Sequence, residues 1–132
     1  MPTLNNKSKF KSLPSVILID LDNTLYAYEP CHKAALEEVC SRVITRFQIN
    51  KKQFTDAYNV ARAEVKSQLG KNPSSRNRIL YFQSLFENLG IGSPALQALE
   101  CEQIYWRVFL QKAELFGGAK EFLENVRMLN IP

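Results

Sequence analysis

Apolar residues follow two rhythms along this chain. Val16-Ile17-Leu18-Ile19, preceded by Pro14, is an unbroken aliphatic run, and a strand with no polar face is the pattern of a parallel strand covered on both sides. No second confident strand follows it. From Pro30, a first-turn proline, the spacing changes to the threes and fours of an amphipathic helix, through Leu36, Val39, Cys40, Val43, Ile44 and Phe47. A second helix is expected from about Lys51, with Phe54, Ala57, Tyr58, Ala61, Val65 and Leu69 on one face and Gly70 at C′. Lys71 to Ser75 reads as a loop with cap residues at its end. The third helix carries Ile79, Phe82, Leu85, Phe86 and Leu89 and stops at Gly90. Ser93 as N-cap and Pro94 at N1 start a fourth, over about 94–112. It is apolar around much of its circumference through Leu96, Leu99, Ile104, Tyr105, Trp106, Val108, Phe109 and Leu110, which predicts packing on several sides. Beyond Gly117-Gly118 a fifth amphipathic helix runs through Ala119, Phe122, Leu123, Val126 and Leu129. Residues 1–13, polar and lysine-bearing, read as a tail.

With 132 residues, 45% hydrophobic and 23% charged, the chain has the composition of a globular domain rather than a disordered segment. The formal charge of +4 raises nucleic acid as a partner, and its distribution argues against it. The basic residues are scattered among acids instead of forming a stripe interleaved with aromatics. Lys71, Arg76 and Arg78 could approach an anionic substrate from their loop, but the same ground favours scattered surface cations. No apolar run is long enough to span a bilayer and no signal-type apolar stretch precedes Val16, so a cytoplasmic location and no membrane partner are expected. Cys31, Cys40 and Cys101 lack metal-ligand spacing, with only His32 to join them. They are expected as reduced thiols in or near helices.

The aliphatic run ends in Asp20-Leu21-Asp22-Asn23-Thr24-Leu25-Tyr26. If the backbone is still extended at Asp20, the two-residue period turns the carboxylates of Asp20 and Asp22 to one side. In open α/β sheets ligands bind beyond the carboxyl ends of the strands, where this pair falls. Two carboxylates so close call for a cation such as Mg²⁺ or a split in pKa. A plainer reading is an acidic turn closing a strand, with Asp22-Asn23-Thr24 chosen for turn and cap chemistry.

The whole string, apolar strand followed by D-L-D-N-T-L-Y, resembles the first motif (D-x-D-x-T) of the haloacid dehalogenase-like (HAD) hydrolases, mostly Mg²⁺-dependent phosphatases. The resemblance implies an α/β fold with a Rossmann-like parallel-sheet core and an inserted α-helical cap. Residues 14–27 would be core strand one and the catalytic loop, 28–116 the cap, and 117–132 the return helix of the core. Phe116-Gly117-Gly118-Ala119 is similar to the family's P-G-x-x-E-L return segment, with Gly in place of Pro. The competing architecture is a free-standing helical bundle. By the resemblance Asp20 is the nucleophile and a Mg²⁺ ligand. Asp22 is the general acid and base, with its backbone carbonyl as a second metal ligand. Thr24 stabilises the loop, and Asn23 has no assigned chemistry. A small phosphorylated substrate is the implied partner.

The chain also departs from the family. The later Ser or Thr, the Lys or Arg and the second acidic pair are missing, since its remaining aspartate, Asp56, lies within a cap-like helix. Glu37-Glu38 reads as a solvated face. The expectation is therefore an N-terminal portion of such a hydrolase, mostly helical and inactive alone. A non-catalytic remnant or a helical protein-interaction module is the alternative. A strand without neighbours would leave Val16–Ile19 and helix 119–129 poorly supported, inviting self-association through the exposed strand.

Overall fold

The computed structural model describes Ser12 and residues 14–131. Except for Ser12, the segment read as a tail lies outside the described residues, as does Pro132. In chain order the helices are α1 (Tyr28–Phe47), α2 (Lys51–Leu69), a short 3-10 helix (Pro73–Arg76), α3 (Arg78–Leu89), α4 (Pro94–Lys112) and α5 (Ala119–Met128). Two compact units result, one combining the chain before Cys31 with the chain after Lys112, the other spanning Cys31–Lys112.

In the Cys31–Lys112 unit, α3 packs against both α2 and α4, and α1 meets α3 through the edge-on rings of Phe47 and Phe86. Three of the helical segments, α2, the 3-10 helix and α3, start where a side chain satisfies one of the first free N–H groups. Asn50 caps α2 in a reciprocal box with Gln53. The caps after the loop are Asn72, whose side chain accepts from Ser74 N–H, and Asn77, which accepts from Ile79 N–H. Cap residues were expected at the end of the Lys71–Ser75 loop, and the asparagines on either side of the 3-10 helix take the role because their side chains reach N–H groups two residues on. The core is aromatic: Phe54, Tyr58, Tyr81, Phe82, Phe86, Tyr105 and Phe109 are buried, with Tyr58, Phe82 and Tyr105 joined in a chain of ring contacts. Small residues at Ala35, Ala61 and Ala98, fully buried, let the helix backbones approach these rings.

α4 departs from its expected packing on several sides. It buries a single stripe, Gln97, Ala98, Cys101, Tyr105 and Phe109. Leu96, Leu99, Trp106 and Leu110 are exposed, because their spacing of three, seven and four residues puts them on another face of the helix.

In the unit formed by the two ends of the chain, residues 16–20 have no regular secondary structure. A strand is made by its neighbour, since its N–H and C=O groups pair only across a ladder. Among the described residues the ladder contacts are two isolated bridges, Asp22 to Tyr26 and Tyr26 to Leu115. Val16, Leu18 and Leu21 are exposed, Leu18 at 92%, and α5 has no buried residue.

Candidate active site

The acidic string closes into a tight turn. Leu25 and Thr24 N–H both donate to the Leu21 carbonyl, at 2.9 and 3.2 Å, and Asn23 N–H donates to the Tyr26 carbonyl at 2.9 Å. Asn23 makes this reversal possible by adopting φ 59°, a left-handed conformation that asparagine tolerates better than most residues. Its side chain is used too, since Oδ1 accepts from the N–H of Tyr28, the first residue of α1, at 3.0 Å. Asn23 therefore both turns the chain and caps the helix that follows, a role that its sequence position did not disclose.

Leu25, at the inner side of the turn, is buried, while Asp20 to Thr24 face solvent. The Leu25 carbonyl accepts from Phe116 N–H at 2.8 Å, and Tyr26 bridges antiparallel to Leu115. The turn is thereby tied to the segment that precedes α5.

Each carboxylate has a hydroxyl partner. Tyr26 Oη donates to Asp22 Oδ1 at 2.6 Å, and Thr24 Oγ1 donates to Asp20 Oδ2 at 3.4 Å, long for such a bond. Thr24 thus reaches back across the turn towards Asp20. Tyr26 is the residue that sequence reasoning missed. Its four-residue separation from Asp22 was visible, but only a chain that doubles back makes those two side chains neighbours.

Asp20 and Asp22 are hard oxygen donors open to solvent, and the hydroxyl bonds of Thr24 and Tyr26 each engage one oxygen of a carboxylate. Mg²⁺ is held in proteins by one or two carboxylates with water and phosphate oxygens completing its shell, and exposed carboxylate oxygens are donors of that type. Among the described residues no group of three or more His, Cys, Asp or Glu side chains is placed to hold a metal. The three cysteines are free and buried. Burial pushes the Cys101 thiol up to about 12, with the Glu100 charge adding to the rise and Arg46 opposing it. Cys40 is raised first by burial, with Lys51 opposing it.

The Cys31–Lys112 unit has a concavity of its own. A cavity of about 610 Å³ opens among α1, α3 and α4, lined in part by Val43, Phe47, Phe86, Cys101 and Ile104. The ion pair of Arg46 and Glu100, at 2.6 Å, crosses from α1 to α4. No helix among the described residues is long and apolar enough to cross a membrane.

Comparison with known proteins points first to a class: the chain is similar to a phosphatase. That relative is the ribulose-1,5-bisphosphate 5-phosphatase of Halopiger xanaduensis, 35% identical over 117 residues, which are 87% of this chain and 48% of the relative. The chain thus spans about half the length of the relative it matches. No family model matches the sequence. No solved structure matches it either.

Proposed function

We propose that this chain is part of a HAD-like, Mg²⁺-dependent phosphatase acting on a small phosphorylated molecule, with Asp20 as nucleophile and Asp22 as general acid and base. On this reading the chain-end unit belongs to an α/β core and the helical unit is its inserted cap. The observation that carries the proposal is the self-bonded turn, which exposes both carboxylates of the D-x-D-x-T string and fixes Asp22 through Tyr26. The 35% identity to a phosphatase supports it, and that relative's sugar bisphosphate is the first substrate to try.

An Asp20 carboxylate oxygen attacks phosphorus, the bond from phosphorus to the ester oxygen breaks, and Asp22 gives that oxygen its proton. Asp22 then takes a proton from water, which attacks the phosphorus of the aspartyl phosphate, releasing inorganic phosphate and restoring Asp20. Bound Mg²⁺, held by the Asp20 carboxylate and the Asp22 backbone carbonyl, would supply charge neutralisation for the incoming phosphate. Tyr26 keeps Asp22 oriented through Oδ1, leaving the other carboxylate oxygen for proton transfer.

The test is phosphate release from ribulose-1,5-bisphosphate by the product of the full reading frame. Turnover should require Mg²⁺, and Asp20→Asn should abolish it, because an amide is a far poorer nucleophile and metal ligand. Asp22→Asn should lose roughly 10²–10⁴-fold, the usual contribution of acid–base catalysis. Near-wild-type turnover in Asp20→Asn overturns the assignment. Residues 1–132 alone should be inactive.

A further inference from the structure

The outer face of α4 carries a pattern of its own. Leu96, Leu99, Gln103, Trp106 and Leu110 succeed one another by three, four, three and four residues. That is the narrow stripe of a coiled-coil seam, not the wider one that packs a helix onto a core. All five residues are exposed, Leu110 at 69%, and the stripe faces away from the buried one of Ala98, Cys101, Tyr105 and Phe109. Trp106 is held from beneath, its ring centroid 5.2 Å from that of Tyr105 and 5.4 Å from that of Phe109, both of them buried. An indole already fixed against a core on one side and open on the other loses little further freedom on binding, which suits it as an interface anchor.

Two opposite charges, Glu100 and Arg107, stand seven residues apart on one flank of the stripe. Arg107 is exposed and among the described residues makes no ion pair, whereas Arg42, Arg46, Lys52 and Lys120 each have an acid. Glu100 accepts from Arg46 of α1 at 2.6 Å, and a carboxylate has acceptor sites for a second donor. Charges flanking a seam select its partner and direction. Two copies of α4 laid antiparallel along the stripe set Leu99 against Leu110, Gln103 against Trp106 and Glu100 against Arg107, each twice by symmetry. Parallel copies would instead press Trp106 onto its own counterpart. Antiparallel axes also bring the positive end of each helix beside the negative end of the other. A stripe that supplies the complement of its own shape and charge suits an isologous contact.

We propose that the outer face of α4 is a dimerisation surface, on which a second copy of this chain seats its own α4 in the antiparallel direction. A membrane surface fits less well, since an interfacial helix is rich in Lys and Arg on its polar face and the flank here balances Arg107 with Glu100. Five seam residues per copy make a contact smaller than the standard interface of about 20–30 residues a side, so a dissociation constant of about 10–100 µM is expected. The surface belongs to the helical unit alone, so it stands whether or not Asp20 is a nucleophile.

Trp106 is the sole tryptophan, so its fluorescence reads this face directly. As the chain is concentrated through that range, the emission should move to shorter wavelength while sedimentation equilibrium shows a monomer passing to a dimer. Leu110→Lys, which gives up little buried area in the monomer, should raise the dissociation constant by more than about tenfold. Arg107→Glu, which turns both attractions to Glu100 into repulsions, should raise it about tenfold. Leu18→Lys, in the other exposed run, should leave the tryptophan shift in place. Direction is read by oxidising an equimolar mixture of Leu99→Cys and Leu110→Cys chains, in which a disulfide between the two variants is expected. Leu99→Cys alone should not couple, because its two copies stand about 16 Å apart along the seam. Cys31, Cys40 and Cys101 are buried and do not compete. The same mixed disulfide is expected in the product of the full reading frame. If Leu110→Lys loses its native circular dichroism, Arg107→Glu, altered at an exposed charge, carries the test. The proposal is overturned by a monomer throughout the range, or by a dimer whose tryptophan emission does not move or stops moving in Leu18→Lys. Unchanged association in folded Leu110→Lys or Arg107→Glu chains, coupling of Leu99→Cys to itself, or no mixed disulfide in the full product overturns it equally.

Discussion

Tyr26 and Asn23 show how much of the candidate site depends on uncharged groups. Tyr26 Oη donates to Asp22, and hydrogen bonds to charged groups contribute about 1.5–3 kcal/mol when shielded from water. The turn is exposed, so the effect should fall at or below the lower end. Tyr26→Phe is therefore expected to lower kcat of the full reading-frame product roughly 3- to 10-fold, with KM little changed and with unfolding by urea shifted only slightly. Steady-state kinetics and a urea titration check both halves of that statement. Gly92 is a structural counterpart in the helical unit. It has φ +67°, and an added Cβ would lie 2.8 Å from Gln97 Oε1 and 3.1 Å from a ring carbon of Phe47. That same Gln97 oxygen accepts from Ser93 N–H at 2.5 Å, so a methyl group would also disturb the start of α4. Left-handed strain costs about 1–2 kcal/mol and a displaced hydrogen bond about 1 more, and Gly92→Ala should lower the unfolding free energy by about 2–3 kcal/mol in urea. At this scale the candidate groups Asp20, Asp22 and Thr24 were readable from the sequence, and the structure places all three in one solvent-facing turn. The sequence did not disclose Tyr26 or Asn23, because each acts through a neighbour brought close only by folding.

Helices were the most legible elements. The expected second and fourth helices match Lys51–Leu69 and Pro94–Lys112, since Gly70, Ser93 and Pro94 punctuate the chain by backbone rules that need no tertiary context. Which face each helix buries was less legible. Cys31 and Ala35 in α1 and Tyr81 in α3 are buried although the apolar spacing emphasised Leu36, Ile44 and Ile79. In α4 the large residues Leu96, Leu99 and Leu110 stay outside, while Gln97 and Cys101 go in. Hydrophobic size alone could not choose, because two faces of that helix are apolar and only one has neighbours. Cys101 makes the choice measurable. Its thiol is raised from 9.0 to about 12, chiefly by burial, so between those values the folded chain keeps a proton that the unfolded chain has lost. Stability from this group is complete below pH 9 and falls as pH rises towards 12, with a limiting slope of about 1.4 kcal/mol per pH unit. Urea unfolding at a series of alkaline pH values should show the decline, and Cys101→Ala should flatten it while lowering stability at neutral pH. An equal slope in the two proteins would remove Cys101 as the cause.

At the scale of the whole molecule, the two units differ in how fully they bury their apolar residues. The helical unit has an aromatic core, whereas Val16, Leu18, Leu21, Phe122 and Met128 are all exposed in the other. A strand run was legible at Val16–Ile19, but a run becomes a strand only beside a partner, and that partner could not be read from the run itself. Leu18, 92% exposed, gives up almost no buried area when made polar. Leu18→Lys should leave the urea midpoint within about 0.5 kcal/mol of the parent, as surface substitutions usually do, and should reduce any self-association seen by analytical ultracentrifugation. Loss of cooperative unfolding in that variant would show that Leu18 supports structure. The bond from Phe116 N–H to the Leu25 carbonyl, with the bridge beside it, has a further consequence. Chain about to enter the helical excursion lies next to chain that has just left it, so the long intervening segment begins and ends at one doorway. Removing or exchanging a segment with adjoining ends requires little rearrangement of its host, because the gap can be closed by a short turn. The excursion is thus separable in the way an interchangeable cassette is: its sequence can drift, lengthen or be replaced wholesale while the acidic turn keeps its geometry, and selection can act on the two parts of this chain at different rates.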